Sequence, residues 1–379
     1  MRHISLLEFQ PGMVMDIVPP FSYIEKTNGT LVPETCRVNI DANGFMVSDK
    51  PYVKNDSKIL LLGGSAIENL FIPADKRILA RIETILASSG RDAKVYSAGV
   101  SDSHLLHMIN LLLNKGIGLR PQCVVYYATP GLDIIANEAD NSFWNSDHGI
   151  NPLREAKEEV KIKFRESFAN KGGFKDEKKL LQILCDVCKR FDIPLLMATW
   201  PLYGPVDAYM QKQHSNLDSF YQEEAQTSAL NEVVRAIARE QKCGLIDLER
   251  SFADLEHGSY FYDWNHPNIK GCDLIASITS DAIKTLYLDK AIDNKGKLIN
   301  LSPIIFRLEL IFREILDNPD LVVTSSLTSH DVAEWDSLNN LRIIAAVEKR
   351  LAVQFTGPEV EKLTCVGDLA ALIASKLQA

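Results

Sequence analysis

The sequence has no apolar run long enough to span a membrane. Its longest hydrophobic stretches, within residues 58–62 and 123–127, are strand-sized. It has no excess of basic charge. Forty-one Lys and Arg against 50 Asp and Glu leave a formal charge of −9, which disfavours non-specific binding to phosphate backbones and argues against a nucleic-acid partner. Residues 1–11 hold no leader-like apolar segment. Cysteine is sparse and odd in number: seven, at positions 36, 123, 185, 188, 243, 272 and 365. That pattern excludes a simple disulfide framework and reads as reduced thiols in a cytoplasmic protein. Metal-ligand spacing is missing as well. Cys185 and Cys188 stand at C-x-x-C spacing inside a helical pattern with no second pair. His104 and His107 share a helix face without an acidic or cysteine partner. The cysteines read as core-facing and the histidines as core or surface residues, and no metal is expected.

What the sequence does have is enough chain, 379 residues, for two or three domains. Residues 1–55 mix short β-like pieces with Pro19-Pro20, Asn28-Gly29 and Asn43-Gly44 turns, and read as an irregular, partly stranded cap. From residue 58 short apolar strands alternate with amphipathic helices as far as residue 288. Strands are expected at 58–62, 93–96, 123–127, 194–198 and 244–248, and helices at 76–88, 104–113, 178–190, 223–241 and 268–288. The charged stretch 134–170 reads as a surface helix or excursion. This alternation predicts an α/β domain over residues 56–288, with a parallel sheet covered by helices on both faces. Its site is expected beyond the carboxyl ends of the strands, where Gly63-Gly64-Ser65, residues 97–101 and residues 128–131 fall. Residues 289–302 are polar and read as a linker. Residues 303–379 carry four helical segments and a net negative charge, and read as a separate small all-α domain.

Ser65 follows two glycines at a strand end, where a turn free of Cβ atoms can expose a hydroxyl beside backbone N–H groups. Asp263 precedes His266 by three residues ahead of the last helix. At that spacing a carboxylate can orient an imidazole, which can then take the serine proton. The same residues also fit a plainer reading, with Asp263 capping the helix and His266 a half-buried surface histidine. Taken in order, the pieces resemble the SGNH hydrolase family, also called GDSL-type esterases, over roughly residues 50–288. Gly63-Gly64-Ser65 is similar to its first block, Ser97-Ala98-Gly99-Val100 to its second, and Asp263-Trp264-Asn265-His266-Pro267-Asn268 with Gly271 to its last. The resemblance implies a three-layer, flavodoxin-like domain. It implies Ser65 as nucleophile, Asp263 and His266 as its partners, and the N–H groups of Ser65 and Gly99 as oxyanion donors.

The third block departs. Where the family carries Gly-x-Asn-Asp, this chain reads Tyr127-Ala128-Thr129-Pro130-Gly131-Leu132-Asp133. Asp133 fits the aspartate, but no asparagine precedes it. Losing one oxyanion donor costs about 3–4 kcal/mol in an intact hydrolase. Thr129 and Asn69 are candidate substitute donors. His104 is a candidate pocket residue, and Trp200-Pro201-Leu202-Tyr203 either walls the pocket or simply turns the chain.

In the C-terminal segment, Asp336 and Ser337 stand at a helix start after a long polar loop. Either can be an N-cap, and a phosphate on Ser337 would meet free N–H groups and the positive helix end. The segment, about residues 305–377, resembles an acyl or peptidyl carrier protein. Trp335-Asp336-Ser337-Leu338 is similar to the attachment motif, Glu348-Lys349-Arg350-Leu351 to the end of its second helix, and Val366-Gly367-Asp368-Leu369 to its last. The resemblance implies a phosphoprotein with 4'-phosphopantetheine on Ser337, added by a separate phosphopantetheinyl transferase and charged by an acyl-loading enzyme. The combined expectation is a serine esterase, thioesterase or acyltransferase that acts on a thioester held nearby by its own tether and passes the acyl group to water or an acceptor molecule. The competing expectation is a non-catalytic scaffold whose carrier presents its cargo to a downstream acyltransferase or synthase.

Overall fold

The computed structural model describes residues 4–52, 57–89, 91–137, 142–144, 154–155, 173–203, 217–288, 290–292, 298–300, 302–318, 321, 323 and 327–377. The chain divides into two compact units, Met1–Ala282 and Ile283–Ala379.

The first unit is built on an eight-stranded sheet. Its strands are β1 (Val14–Ile17), β2 (Cys36–Ile40), β3 (Met46–Val47), β4 (Ser57–Leu62), β5 (Ala93–Ser97), β6 (Cys123–Tyr127), β7 (Leu195–Ala198) and β8 (Gly244–Ile246). They lie in the order β8-β7-β6-β4-β5-β3-β2-β1. The five strands from β4 to β8 pair in parallel, whereas β3, β2 and β1 extend the β5 edge antiparallel. The sheet is therefore mixed rather than purely parallel. The expected irregular cap over residues 1–55 supplies three of its strands. The physical reason is visible in β2, where Cys36, Val38 and Ile40 are buried and Arg37 is exposed. That one-sided alternation is what an antiparallel edge buries.

The parallel part places β4 in its middle, with β5 on one side and β6, β7 and β8 on the other. This is the flavodoxin-like order, whose chain reversal opens a crevice between β4 and β6 beyond their carboxyl ends. Ile59 to Leu62 are fully buried, each such side chain contributing about 1.5–3 kcal/mol by leaving water. Leu60, Leu62, Val124, Tyr126 and Met197 face a core shared with helices further along the chain. In chain order the helices are α1 (Phe21–Ile24), α2 (Ser65–Glu68), α3 (Ile78–Ser88), α4 (Leu105–Leu111), α5 (Leu132–Ala136), α6 (Lys175–Arg190), α7 (Leu217–Gln241), α8 (Leu248–Phe252) and α9 (Ile269–Leu288). Helices α4, α6 and α7 supply that core. On the opposite face Tyr127 reaches Thr279 of α9, their hydroxyls 2.8 Å apart. Beyond α5, most of the charged stretch 134–170 lies outside the described residues.

The second unit holds α10 (Ser302–Ile315), α11 (Ser337–Leu351), α12 (Gly357–Val360) and α13 (Val366–Leu377). Their apolar faces meet in one cluster that includes Leu308, Phe312, Ile343, Val347, Val366 and Ile373. The stretch expected to be a plain linker contains a strand pair, Lys290–Ile292 antiparallel to Leu298–Asn300. Among the described residues no helix is long and apolar enough to cross a membrane.

Candidate active site

Ser65 opens α2 directly after β4. The two preceding glycines are needed for space. A Cβ on Gly63 would lie 2.4 Å from Ile67 Cγ1, and one on Gly64 2.8 Å from Thr129 Oγ1. The Gly64 N–H donates to Thr129 Oγ1 at 3.0 Å, tying the turn to the end of β6. The first hydrogen bonds of α2 run from Ile67 and Glu68 back to the Gly64 carbonyl. The N–H groups of Ser65 and Ala66 precede them and have no intrahelical acceptor.

Asp263 and His266 sit in one closed loop. The Tyr262 N–H donates to the His266 carbonyl at 3.0 Å and the Asn268 N–H to the Tyr260 carbonyl at 2.9 Å. Phe261 and Pro267 bridge between them. Inside the loop, Asp263 Oδ1 accepts from the N–H groups of Asn265 (2.8 Å) and His266 (2.6 Å), an aspartate turn that fixes the carboxylate to the histidine's own backbone. His266 Nδ1 then lies 2.8 Å from Asp263 Oδ2, and His266 Nε2 lies 2.9 Å from Ser65 Oγ. With the carboxylate ionised, Nδ1 carries the proton and donates to it. Nε2 is left as acceptor for the Ser65 hydroxyl. Burial by itself raises the Asp263 pKa, but the His266 charge and hydrogen bonds and the loop N–H groups outweigh it, so Asp263 stays below the usual carboxylate range. Burial likewise pushes His266 down, and the charge and hydrogen bond of Asp263, with Glu68 behind, outweigh it and raise its pKa.

The cavity in front of this row has a volume of about 200 Å³. Ser65, Ser103, Leu132, Glu223, Trp264 and Asn265 are among its walls.

The remaining candidates from the sequence fall elsewhere. The Gly99 N–H donates to Ser97 Oγ at 3.1 Å, so the expected oxyanion donor is already engaged. Gly99 is glycine because a Cβ there would stand 2.7 Å from the Glu68 nitrogen. Asn69 is not a spare donor either. Its Nδ2 donates to the Pro267 carbonyl (2.8 Å) and Cys272 Sγ (3.4 Å), and its Oδ1 accepts from the Tyr262 hydroxyl. Thr129 braces Gly64 from behind and is not part of the cavity wall. Asp133 is buried and accepts the Leu105 N–H at 2.8 Å, holding the first turn of α4, and burial pushes its pKa up to about 7. His104 and His107 form a reciprocal cap at the start of α4. Cys185 and Cys188 are buried in the α6 core, where the Cys243 thiol donates to Cys185 Sγ at 3.4 Å. Trp200 is turned by paired hydrogen bonds with Asn231, and Tyr203 packs edge-on against Trp264, behind the cavity wall. Among the described residues no cluster of three or more His, Cys, Asp or Glu is placed to hold a metal ion.

Two features had no signal in the sequence patterns. Tyr23, from the N-terminal segment, donates its hydroxyl to Asp263 Oδ2 at 2.8 Å. Asn28 ties the same segment to the Gly258 and Phe261 carbonyls. Glu223, in the second turn of the long helix α7, reaches the cavity.

In the second unit, Asp336 caps α11 by accepting the Asn339 N–H at 2.7 Å. Ser337 is thereby spared the capping role. It is exposed, and no hydrogen bond engages its hydroxyl among the described residues. It stands on the rim of a cavity of about 360 Å³, whose walls include Asn340, Ile344, Leu363, Val366 and Leu369.

No protein-family model matches this chain, and no curated protein matches it. Similar solved structures do exist. An acetyl xylan esterase, AlAXEase, is 16% identical with a TM-score of 0.43, covering 60% of this chain and 99% of its own. A lipase/acylhydrolase from Enterococcus faecalis is 13% identical with a TM-score of 0.40, covering 60% and 95%. Axe2, an acetylxylan esterase from Geobacillus stearothermophilus, is 15% identical with a TM-score of 0.40, covering 61% and 96%. Likeness at this level says nothing of chemistry.

Proposed function

We propose that the first unit is a serine-dependent acyl hydrolase or acyltransferase. The observation that carries this is the unbroken row from Asp263 through His266 to Ser65, with bonds of 2.8 and 2.9 Å, opening on a cavity. Ser65 Oγ attacks an ester or thioester carbonyl carbon as its proton passes to His266 Nε2. The new C–O bond leaves a tetrahedral oxyanion facing the Ser65 N–H. Its collapse breaks the bond to the leaving oxygen or sulfur, which takes the proton from His266. Water or an acceptor hydroxyl or amine then attacks the acyl-serine, gives its proton to His266, and releases Ser65 with that proton returned.

A fluorophosphonate probe tests this reading. It is expected to label Ser65 alone, found by peptide mass, and to leave Ser65→Ala unlabelled. Absence of labelling on folded protein removes the nucleophile. The second reading, a scaffold without chemistry, draws on the engaged N–H of Gly99 and the committed amide of Asn69, which leave the oxyanion side thin.

The pH profile gives an independent check. His266 must be neutral to act as base, and its pKa lies above the ordinary imidazole value of about 6.5. kcat/KM is therefore expected to fall toward acid with a midpoint above that value. In Asp263→Asn the residual activity should lose this upward shift, since the charge that raises the imidazole is gone. A wild-type midpoint at or below about 6.5 would mean that burial, not Asp263, governs the histidine.

For the second unit the proposal is a carrier domain bearing 4'-phosphopantetheine on Ser337. The unengaged hydroxyl, the separate cap at Asp336 and the adjoining cavity fit such a group. Ser337 would bear its phosphate at the start of α11, and Asn340, Ile344 and Leu363 would line its path. When bound, the group supplies a thiol that holds an acyl chain as a thioester. The partners this requires are a phosphopantetheinyl transferase and an acyl-loading enzyme, with an acyl acceptor or downstream acyltransferase as the outlet. Intact-mass measurement after incubation with a transferase and coenzyme A is expected to show one addition, absent in Ser337→Ala. An unchanged mass would remove the carrier assignment.

A further inference from the structure

We propose that the cavity beside Ser65 is shaped for a short acyl group carrying a hydrogen-bond donor, a hydroxyl or an ammonium, and selects against a plain alkyl chain. This rests on the reading of Ser65 as nucleophile. At about 200 Å³ the cavity is smaller than the usual range for drug-sized ligands, which suits an acyl group of a few carbons. Its walls are unequal in character. Leu132, Ile135 and Trp264 offer apolar contact to the carbon skeleton. Glu223 offers a carboxyl acceptor to something else.

Asn265 is 3% exposed, and its Oδ1 is sealed from solvent with no hydrogen-bond partner. Its neighbour His266 faces Ser65, so the amide borders the reacting row. Sealed as it is, this oxygen is out of a ligand's reach, and recognition of a donor falls to Glu223. Glu223, on α7, is 9% exposed. Burial pushes its carboxyl up to about 7, an effect the nearby Tyr203 hydroxyl only partly offsets. An alkyl chain laid against it would strip its water and return nothing. A hydroxyl or ammonium would pair with it. Sites built around a substrate hydroxyl reject the analogue lacking it far more strongly than apolar pockets sort by size.

The test uses full-length Ser65→Ala protein, so that substrates bind without turnover. Calorimetric titration compares N-acetylcysteamine thioesters of butyryl, 3-hydroxybutyryl and β-alanyl groups. At least one donor-bearing thioester is expected to bind about 10-fold or more tighter than butyryl. That gain should vanish in Ser65→Ala/Glu223→Leu. The isosteric Ser65→Ala/Glu223→Gln keeps an acceptor but no charge, so it should retain a hydroxyl preference and lose an ammonium preference. This variant also guards against a folding defect in Glu223→Leu. Equal or tighter binding of butyryl, no binding of any of the three, or a ratio unchanged by both Glu223 variants would overturn the proposal. Turnover of the same thioesters by wild-type protein separates the two readings. A binding preference without turnover fails the nucleophile alone, and turnover without preference fails the pocket alone.

Discussion

Ser65→Ala is expected to lower kcat on short acyl p-nitrophenyl esters by about 10³–10⁴-fold, with the fold and the cavity intact. Removing the nucleophile of a fully equipped serine hydrolase costs on the order of 10⁶-fold. On the proposed function a smaller starting activity is expected here. One side-chain oxyanion donor is worth about 10²–10³-fold. No such donor stands at residues 127–133, the Asn69 amide is spent on Pro267 and Cys272, and the Gly99 N–H is held by Ser97. Dividing the first figure by the second gives the expected span. Equal rates for wild type and Ser65→Ala would mean that any hydrolysis seen comes from elsewhere and would leave the scaffold reading standing.

Gly271→Ala is expected to destabilise the first unit by about 3 kcal/mol, the upper end for forcing extra volume into a packed site. That lowers Tm by roughly 6–12 °C for a domain of this size. The added Cβ would fall 2.0 Å from the Tyr260 carbonyl oxygen and 2.9 Å from Pro267 Cβ. The carbonyl is backbone, so no rotamer change relieves the clash. That same carbonyl accepts the Asn268 N–H that closes the Asp263–His266 loop, and Asn268 Oδ1 in turn accepts the Gly271 N–H at 3.0 Å. Moving α9 off the loop therefore displaces His266 from Ser65. Thermal unfolding reads the stability, and fluorophosphonate labelling of Ser65 reads the site. A variant with unchanged Tm and unchanged labelling would show that the first turn of α9 is not what positions the loop.

The row of Asp263, His266 and Ser65 is legible in the sequence because each part sits in a short local pattern. Two glycines after an apolar run mark the serine turn, and an aspartate three residues before a histidine can close on it through its own loop. The alternation of strands and helices marks the sheet for the same reason. Partner choice across the fold is not local. The Gly99 N–H is the exception, since Ser97, which takes it, stands only two residues back in a local serine turn. Nothing near Asn69 says that Pro267, 198 residues away, accepts its amide. Tyr23 and Glu223 reach the site from an N-terminal turn and a polar helix with no pattern to flag them. Strand direction was the other limit. An apolar run does not tell parallel from antiparallel, although the alternation at Cys36, Val38 and Ile40 does carry a one-sided signature.

The hydroxyl of Ser65 and the ring of His266 lie 201 positions apart along the chain, and Tyr23 and Asp263 lie 240 apart. While the protein is being translated, Ser65 leaves the ribosome long before His266 has been added. The emerging polypeptide thus carries a lone alcohol at Ser65 until nearly all of the first unit has been synthesised, and the row from Asp263 to Ser65 closes only after the loop near residue 266 has docked.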